Sequence, residues 1–337
     1  MVGPDGALPL PWLEAPLRRA LATQRAHALL VHGPQGVGQF ELALILAQAW
    51  LCEAAHAARP CGQCASCRLV QARSHSDLLV LLPEALREML GWSASGDEAE
   101  GTDDKGGKRK PSKEIRVDEV RQAIAFAQTT SARGRGKVVV IHPAERMNGI
   151  SANALLKTLE EPPGEARLVL SSAAPDALLP TIRSRCQALV LDLPQPALAS
   201  RWLSERSVAQ PDVLLAATGG QPQDALQWQE EGIDARQWLA LPQQMARGEV
   251  GALGAWPLPR VVDMLLKLCH DAMRMAAGAA PRYFPPSAMP AAASLAALSA
   301  WARTLQEAAL NAEHPWNAGL LVESLTHQAQ EALGSRP

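Results

Sequence analysis

The sequence has no uninterrupted apolar run near the ~18 residues that a membrane-spanning helix needs, and it has few aromatic residues, with one Tyr and three Phe. It also lacks an excess of either charge, because 32 Lys and Arg stand against 34 Asp and Glu, for a formal net charge of -2. That balance excludes a protein that coats nucleic acid through bulk positive charge. The first residues lack the basic and apolar regions of a secretory signal, so we expect a soluble cytoplasmic protein whose thiols stay reduced.

Apolar residues make up 47 % of the 337 residues, which is enough for ordinary cores. At roughly 150 residues per domain, this length predicts two or three domains. Short apolar runs alternate with helical patterns over residues 1–195, which predicts a parallel sheet covered by helices on both faces. The predicted strands are Ala28–His32, Leu78–Leu82, Lys137–Ile141, Arg167–Ser171 and Ala188–Leu191. Strand patterns then stop, and residues 196–245 and 246–337 each have the pattern of a helical unit.

Four of the six cysteines, Cys52, Cys61, Cys64 and Cys67, lie close together in the spacing C-x8-C-x2-C-x2-C. In a reducing compartment such a cluster is more typical of a metal site than of a disulfide framework. Zn²⁺ prefers four soft ligands in a tetrahedron, and a set complete at four leaves no position for a catalytic water. The sequence therefore predicts a structural zinc module over residues 52–67, the alternative being four free cysteines on a loop.

Residues 96–113 differ in composition from the rest of the chain, since Gly and charged residues dominate and no large apolar residue occurs. Such a segment buries too little surface to offset the entropy lost on ordering, which predicts a mobile insertion. Its basic run at 108–110 has two interpretations, a contact with nucleic acid or a solvated loop, and the second is favoured.

A glycine-rich turn follows the first predicted strand and precedes an apolar helix, which is the layout of a phosphate-binding P-loop with the pattern G-x4-G-K-[ST]. Gly33, Gly36 and Gly38 supply the glycines, and the first and last have the P-loop spacing. Gln39 stands where Lys pairs with the β- and γ-phosphates, and Phe40 stands where Ser or Thr ligates magnesium. A neutral amide and an aromatic ring provide neither function. We therefore expect a degenerate P-loop that does not bind ATP.

A second departure lies at the end of the strand Lys137–Ile141, where a working ATPase carries acids for the metal and the attacking water. His142 and Pro143 stand there instead. Glu145 follows, but it lies too far past the strand to replace the acids. Two independent defects in one mechanism predict a nucleotide-binding fold without an ATPase activity of its own.

Two longer motifs lie beyond the P-loop, NALLKTLEEPP at Asn153–Pro163 and TIRSRC at Thr181–Cys186. Together with the four-cysteine insertion after the P-loop helix, they resemble the clamp-loader branch of AAA+ proteins over about residues 10–195. The resemblance implies an AAA+ domain, a small helical lid domain at 196–245 and an all-α collar domain for oligomerisation at 246–337. Combined with the lost Lys and acids, it implies a non-hydrolysing member of a five-subunit ring.

In such a ring, the resemblance implies that each ATP site takes its P-loop from one subunit and an arginine finger from the next. Arg185 is the matching residue here, and guanidinium suits the role because it is always charged and offers several donors. The alternative is that Arg185 forms a structural ion pair. The implied partners are the gamma/tau and delta subunits of the bacterial clamp loader and, through the complex, the sliding clamp and primer–template DNA.

Two other functions fit parts of the sequence. A stand-alone AAA+ ATPase of DNA replication or repair is disfavoured by Gln39, Phe40 and His142. A zinc-dependent reader of nucleic acid is disfavoured as well, because the cysteine segment contains scattered arginines but no basic or aromatic cluster.

Overall fold

The residues described by the computed structural model are 1–23, 26–92, 111–290, 294–311 and 318–334. The chain divides into two compact units, Met1–Gln195 and Pro196–Pro337. The predicted mobile insertion at 96–113 lies outside the described residues except for its last three. Among those three, Ser112 is fixed to the neighbouring helix by a hydrogen bond from its N–H to the Glu84 carboxylate over 3.0 Å.

The first unit is built on a sheet whose strands are β1 (Ala28–His32), β2 (Leu78–Leu81), β3 (Val138–Ile141), β4 (Arg167–Ser172) and β5 (Gln187–Val190). The strand order is β2-β3-β4-β1-β5, and every pairing is parallel. The predicted parallel sheet is therefore confirmed, and each predicted strand is present with its ends shifted by at most one residue. The inner strand β3 is buried along its length, and β1 is buried except at its last residue, His32, as expected for a sheet covered on both faces.

The helices of this unit are α1 (Glu14–Thr23), α2 (Gln39–Leu51), α3 (Ala65–Gln71), α4 (Glu84–Met89), α5 (Val117–Gln128), α6 (Gly149–Glu160) and α7 (Pro180–Arg183). Because side chains alternate along a strand, each strand supplies two faces. Leu30 and Ile141 share a core with Val120 of α5 and Leu155 of α6. Helix α2 contacts β1, β3 and β4, and none of its residues, all of which are described, belongs to that core. It therefore covers the opposite face.

A buried ion pair joins the segments that lead into β2 and β3. The carboxylate of Asp77 is fully buried and lies 3.0 Å from Lys137 Nζ. It also accepts hydrogen bonds from Ser131 Oγ and from the N–H groups of Ala132 and Arg133. The carboxylate is thus fully hydrogen bonded, which a buried charge requires.

The helices of the second unit are α8 (Pro196–Ser204), α9 (Pro211–Ala217), α10 (Pro222–Glu230), α11 (Ala235–Arg247), α12 (Leu258–Ala276), α13 (Leu295–Leu310) and α14 (Ala318–Leu333). Within the described part of this unit there is no strand. Trp228 and Trp238 are fully buried, and Trp238 stacks on Phe284 with ring centroids 4.1 Å apart. The predicted boundary at residue 245 falls inside α11, and the division into lid and collar stays a prediction.

A single carboxylate organises the loop after α12. Asp271 on that helix is fully buried and accepts the backbone N–H groups of Arg282, Tyr283 and Phe284 over 2.7–2.9 Å. His270 Nδ1 lies 3.0 Å from the same carboxylate, and the three bonds from the backbone hold the loop in place. No helix within the described ranges is long and apolar enough to cross a membrane.

Candidate functional site

The P-loop connects β1 to α2 and follows the layout that the sequence predicts. Gly38 precedes the helix with φ of 100°, a left-handed conformation that favours glycine. Gly33 is required by close packing, because a Cβ there would lie 2.2 Å from the carbonyl oxygen of Leu191, just beyond β5. The first glycine therefore has a structural role that does not depend on phosphate.

The Gln39 side chain forms hydrogen bonds with the backbone of its own P-loop. Its side chain is buried, and Nε2 donates to the carbonyls of Gly33 at 2.7 Å and Pro34 at 2.5 Å. These are the first two residues of the loop, so the amide ties the start of α2 back to the end of β1. The donors that a lysine would direct at phosphates are here directed at the chain's own backbone.

Phe40 and His142 occupy the neighbouring space as a stacked pair, with ring centroids 4.5 Å apart and planes inclined by 18°. His142 Nδ1 lies 2.9 Å from the hydroxyl of Ser171, near the end of β4. Burial lowers the pKa of His142 to about 4, so the imidazole is neutral near pH 7. The two positions that depart most from an ATPase therefore contact each other. They form a neutral surface with no carboxylate and no charge.

Glu145 is also engaged structurally. Its Oε1 accepts the N–H of Ala173 over 3.2 Å, which satisfies a backbone donor just after β4. Its Oε2 is buried and has no hydrogen-bond partner among the described residues. This carboxylate is tied to the loop after β4. That it does not replace the missing acids stays a prediction.

Arg185 lies between α7 and β5, and its guanidinium forms an ion pair with Glu160 at the end of α6. Glu160 is therefore the partner that a structural ion pair of Arg185 requires. The side chain remains about one third exposed, which leaves it available to another molecule. Its role as an arginine finger stays a prediction.

The four cysteines of the predicted zinc module converge, with all four Sγ atoms within 4.8 Å of one another. The Sγ atoms of Cys52 and Cys64 are 3.9 Å apart, and those of Cys61 and Cys67 are 4.0 Å apart. All four are free thiols, and these separations are far longer than a disulfide bond. A tetrahedron with Zn–S bonds of about 2.3 Å has S···S edges of about 3.8 Å. The cluster therefore has dimensions that fit a tetrahedral metal ion.

Local structure explains why these cysteines meet. Cys52 directly follows α2 and Cys64 directly precedes α3, so two helix ends bring them together. The N–H groups of Cys61, Cys64 and Cys67 lie 3.3–3.5 Å from the Sγ atoms of Cys52, Cys61 and Cys64, respectively. Hydrogen bonds from the N–H groups of Gln63 and Cys64 lower the pKa of Cys61 to about 6. Burial raises the pKa of Cys52 and Cys67.

The turn at Gly62 lies against the amino-terminal segment. Its φ is 71°, and a Cβ there would lie 1.9 Å from the carbonyl oxygen of Gly3. Gln71 of α3 donates to the carbonyls of both Val2 and Gly62 at 2.8 Å. The cysteine module is therefore fixed to the rest of the unit by backbone contacts that do not involve the thiols.

The sequence does not reveal the contact of Glu160 with Arg185, although Glu160 lies inside the motif Asn153–Pro163. The contact joins positions 25 residues apart, and acidic residues near a helix end carry no signal of their distant partner. The pairing of Gln39 with its own loop was missed for a related reason, since it depends on a side-chain rotamer. The charge and size of each residue were visible in the sequence, but the contacts were not.

A family model described as DNA polymerase III, delta subunit, matches residues 13–195, more than half of the chain. A solved structure of a DNA polymerase III gamma subunit-related protein from Thermotoga maritima covers 95 % of this chain and 99 % of its own, with 17 % identity and a TM-score of 0.49.

Two curated relatives have the same description, DNA polymerase III subunit delta'. The one from Pseudomonas aeruginosa is 40 % identical over 214 residues, which cover 62 % of this chain and 58 % of the relative. The match thus spans less than two thirds of that relative's length. The one from Escherichia coli K12 is 32 % identical over 284 residues, covering 80 % of this chain and 78 % of the relative. On these matches, the chain belongs to the DNA polymerase III subunit delta' family.

Proposed function

We propose that this chain is the non-hydrolysing subunit of a bacterial clamp loader, the assembly that places the sliding clamp on primed DNA for DNA polymerase III. Membership of the delta' family supports the clamp-loader role. The proposal that it does not hydrolyse ATP depends on one observation, which is that side chains of this chain occupy its own P-loop. Gln39 is bonded to the loop carbonyls, and Phe40 stacks on His142. A triphosphate would find no lysine, no magnesium ligand and no catalytic acid there.

The sheet topology supports an arginine finger that acts on a neighbouring subunit. Because Leu29 lies beside Gln187 in the parallel pairing of β1 with β5, Arg185 is level with residue 27, six residues before Gly33. At about 3.3 Å per residue, the two are separated by about 20 Å along the strands. Arg185 is therefore out of reach of its own P-loop. We infer that it contacts the ATP of the next subunit in a five-subunit ring with gamma/tau and delta.

The test of the first proposal is nucleotide binding by the isolated chain. We expect equilibrium dialysis with Mg-ATP to detect no saturable binding. We also expect the isolated chain to show no ATP turnover. Gln39→Lys alone should not create binding, because the Phe40–His142 stack remains in the metal position. Saturable binding with steady hydrolysis by the unaltered chain would contradict the proposal and favour the stand-alone ATPase.

The test of the arginine finger uses the reconstituted ring. Arg185→Ala should slow single-turnover hydrolysis at the one site that Arg185 completes by on the order of 10³-fold, the lower range for arginine fingers in GTPases. Arg183→Ala is the matched control, since Arg183 is a nearby exposed arginine paired with Asp176. If Arg185→Ala left hydrolysis and clamp loading unchanged, Arg185 would not be the finger.

We also propose that Cys52, Cys61, Cys64 and Cys67 hold one structural Zn²⁺, because their Sγ separations fit a closed tetrahedron of thiolates. Metal analysis should give about one zinc per chain, and chelation should unfold the module locally. Cys64→Ser should lose the metal, whereas Cys269→Ser should retain it, since Cys269 lies in the second unit. Purified chain with no metal and four titratable thiols in the module would contradict this assignment.

A further inference from the structure

The guanidinium of Arg185 is held by three acceptor groups of its own chain. Nε donates to Glu160 Oε1 over 2.6 Å, and Nη2 forms an ion pair with the same oxygen. Nη1 donates to the Thr181 carbonyl at 3.1 Å and to Ser184 Oγ at 3.4 Å. Nε and Nη1 thus donate hydrogen bonds within the chain, whereas Nη2 takes part in the ion pair with Glu160.

The acceptors belong to elements that are anchored in the core. Glu160 is the last residue of α6, and Leu155 and Leu159 of the same helix are buried. Thr181 belongs to α7, which packs against α6 and buries Ile182. Because both elements are fixed by packing, their acceptors fix the plane of the guanidinium relative to the sheet.

The ion pair adds little to the stability of the fold. The side chains of Arg185 and Glu160 are 31 % and 49 % exposed, and water screens a pair as open as this one. Its effect is on orientation instead. An arginine side chain has many rotamers, and selecting one in advance removes an entropy cost that binding a phosphate would otherwise carry.

We propose that Glu160 is a positioning residue for Arg185, holding its guanidinium in the orientation in which the Nη2 group meets the γ-phosphate bound by the adjacent subunit. The inference rests on the proposed function of Arg185. Among the described residues, the Glu160 carboxylate bonds to the arginine, and it touches no reacting atom. Its role is comparable to that of the outer carboxylates that orient a metal-binding histidine.

The test is single-turnover ATP hydrolysis in the reconstituted ring with gamma/tau and delta. Glu160→Ala should slow the phase that depends on Arg185 by about 10-fold, the cost of ordering one long side chain, without changing the ATP concentration for half-saturation. Glu160→Gln keeps an acceptor oxygen and should slow that phase only about 2-fold. Asp176→Ala is the matched control, because it breaks the neighbouring ion pair with Arg183 and should change nothing.

A double variant separates positioning from a general structural role. Glu160→Ala combined with Arg185→Ala should be no slower than Arg185→Ala alone, because the carboxylate acts only through the arginine. If the alanine variant fails to enter the ring, Glu160→Gln and its combination with Arg185→Ala carry the test.

The outcomes are distinct. An unchanged rate for the Glu160 variants, with Arg185→Ala still defective, would overturn the inference and leave the proposed function intact. A faster rate would overturn it too, since the ion pair would then restrain the finger. If Arg185→Ala itself had no effect, the proposed function would fail and the inference with it.

Discussion

The stack of Phe40 on His142 predicts a histidine that stays neutral well below its ordinary pKa. Burial lowers the pKa of His142 from 6.5 to about 4, because the imidazolium would lose its hydration inside the unit. Phe40→Ala removes the ring whose centroid lies 4.5 Å from that of the imidazole and admits water to this position. We expect the pKa of His142 to rise towards 6.5 in this variant.

The same shift has a calculable effect on stability. A folded pKa of about 4 against about 6.5 in the unfolded chain corresponds to about 3 kcal/mol. Since the folded pKa is the lower one, the unfolded chain takes up the proton first. The contribution of His142 is therefore fully present above pH 6.5 and is lost as the pH falls from 6.5 to about 4. In Phe40→Ala this loss should be much smaller.

Two measurements check this prediction. An NMR titration of the imidazole Cε1–H gives the pKa of His142 directly in the unaltered chain and in Phe40→Ala. Urea unfolding between pH 7 and pH 4 gives the free energy of unfolding, with His142→Asn as the control that lacks the titrating group. His75, whose pKa is also lowered by burial, is present in every variant and cancels in the comparison. A His142 that titrates near pH 6.5 in the unaltered chain would refute the reasoning.

Two further predictions concern stability. Asp77→Ala should lower the free energy of unfolding by about 3–5 kcal/mol, because it leaves the Lys137 ammonium buried without its partner; denaturant unfolding measures this. Burial raises the pKa of Asp77, but the hydrogen bonds to its carboxylate and Lys137 lower that pKa by more, so the net pKa lies below the ordinary value. The stabilising contribution of Asp77 should therefore be lost as the pH falls below about 4. Gly33→Ala should lower the free energy of unfolding by about 1–3 kcal/mol, even without nucleotide, because the new Cβ would clash with the Leu191 carbonyl oxygen. Gly149→Ala should be neutral or slightly stabilising, because a Cβ at that position would meet open space. Equal stabilities of these two glycine variants would contradict the packing role of Gly33.

The sheet could be predicted from the sequence because each strand is a short apolar run between helical patterns. Strands buried on both faces need apolar residues at nearly every position, and β3 meets that condition along its whole length. The cysteine cluster was also predictable, since its members lie within one short segment and a turn suffices to bring them together. That these four thiols bind a metal, and that the metal is zinc, stays a proposal.

The side-chain contacts at the degenerate P-loop could not be predicted from the sequence. Phe40 and His142 meet only because β1 and β3 end at the same edge of the sheet, with β4 between them. The sequence identified both residues as departures from an ATPase, but it carried no signal that they stack. The Asp271 carboxylate is a similar case, since its partners are backbone N–H groups and a backbone donor is present at almost every position.

The bonds of Gln39 to its own loop and the stack of Phe40 on His142 also determine what substitutions at these positions would cost. A return of lysine at Gln39 would break two bonds to the loop carbonyls, and a return of an acid at His142 would set a negative charge against an aromatic face. Each step back would therefore weaken the domain before the last step restored any catalytic benefit. Single substitutions towards the sequence of an ATPase should therefore each lower the stability of this domain.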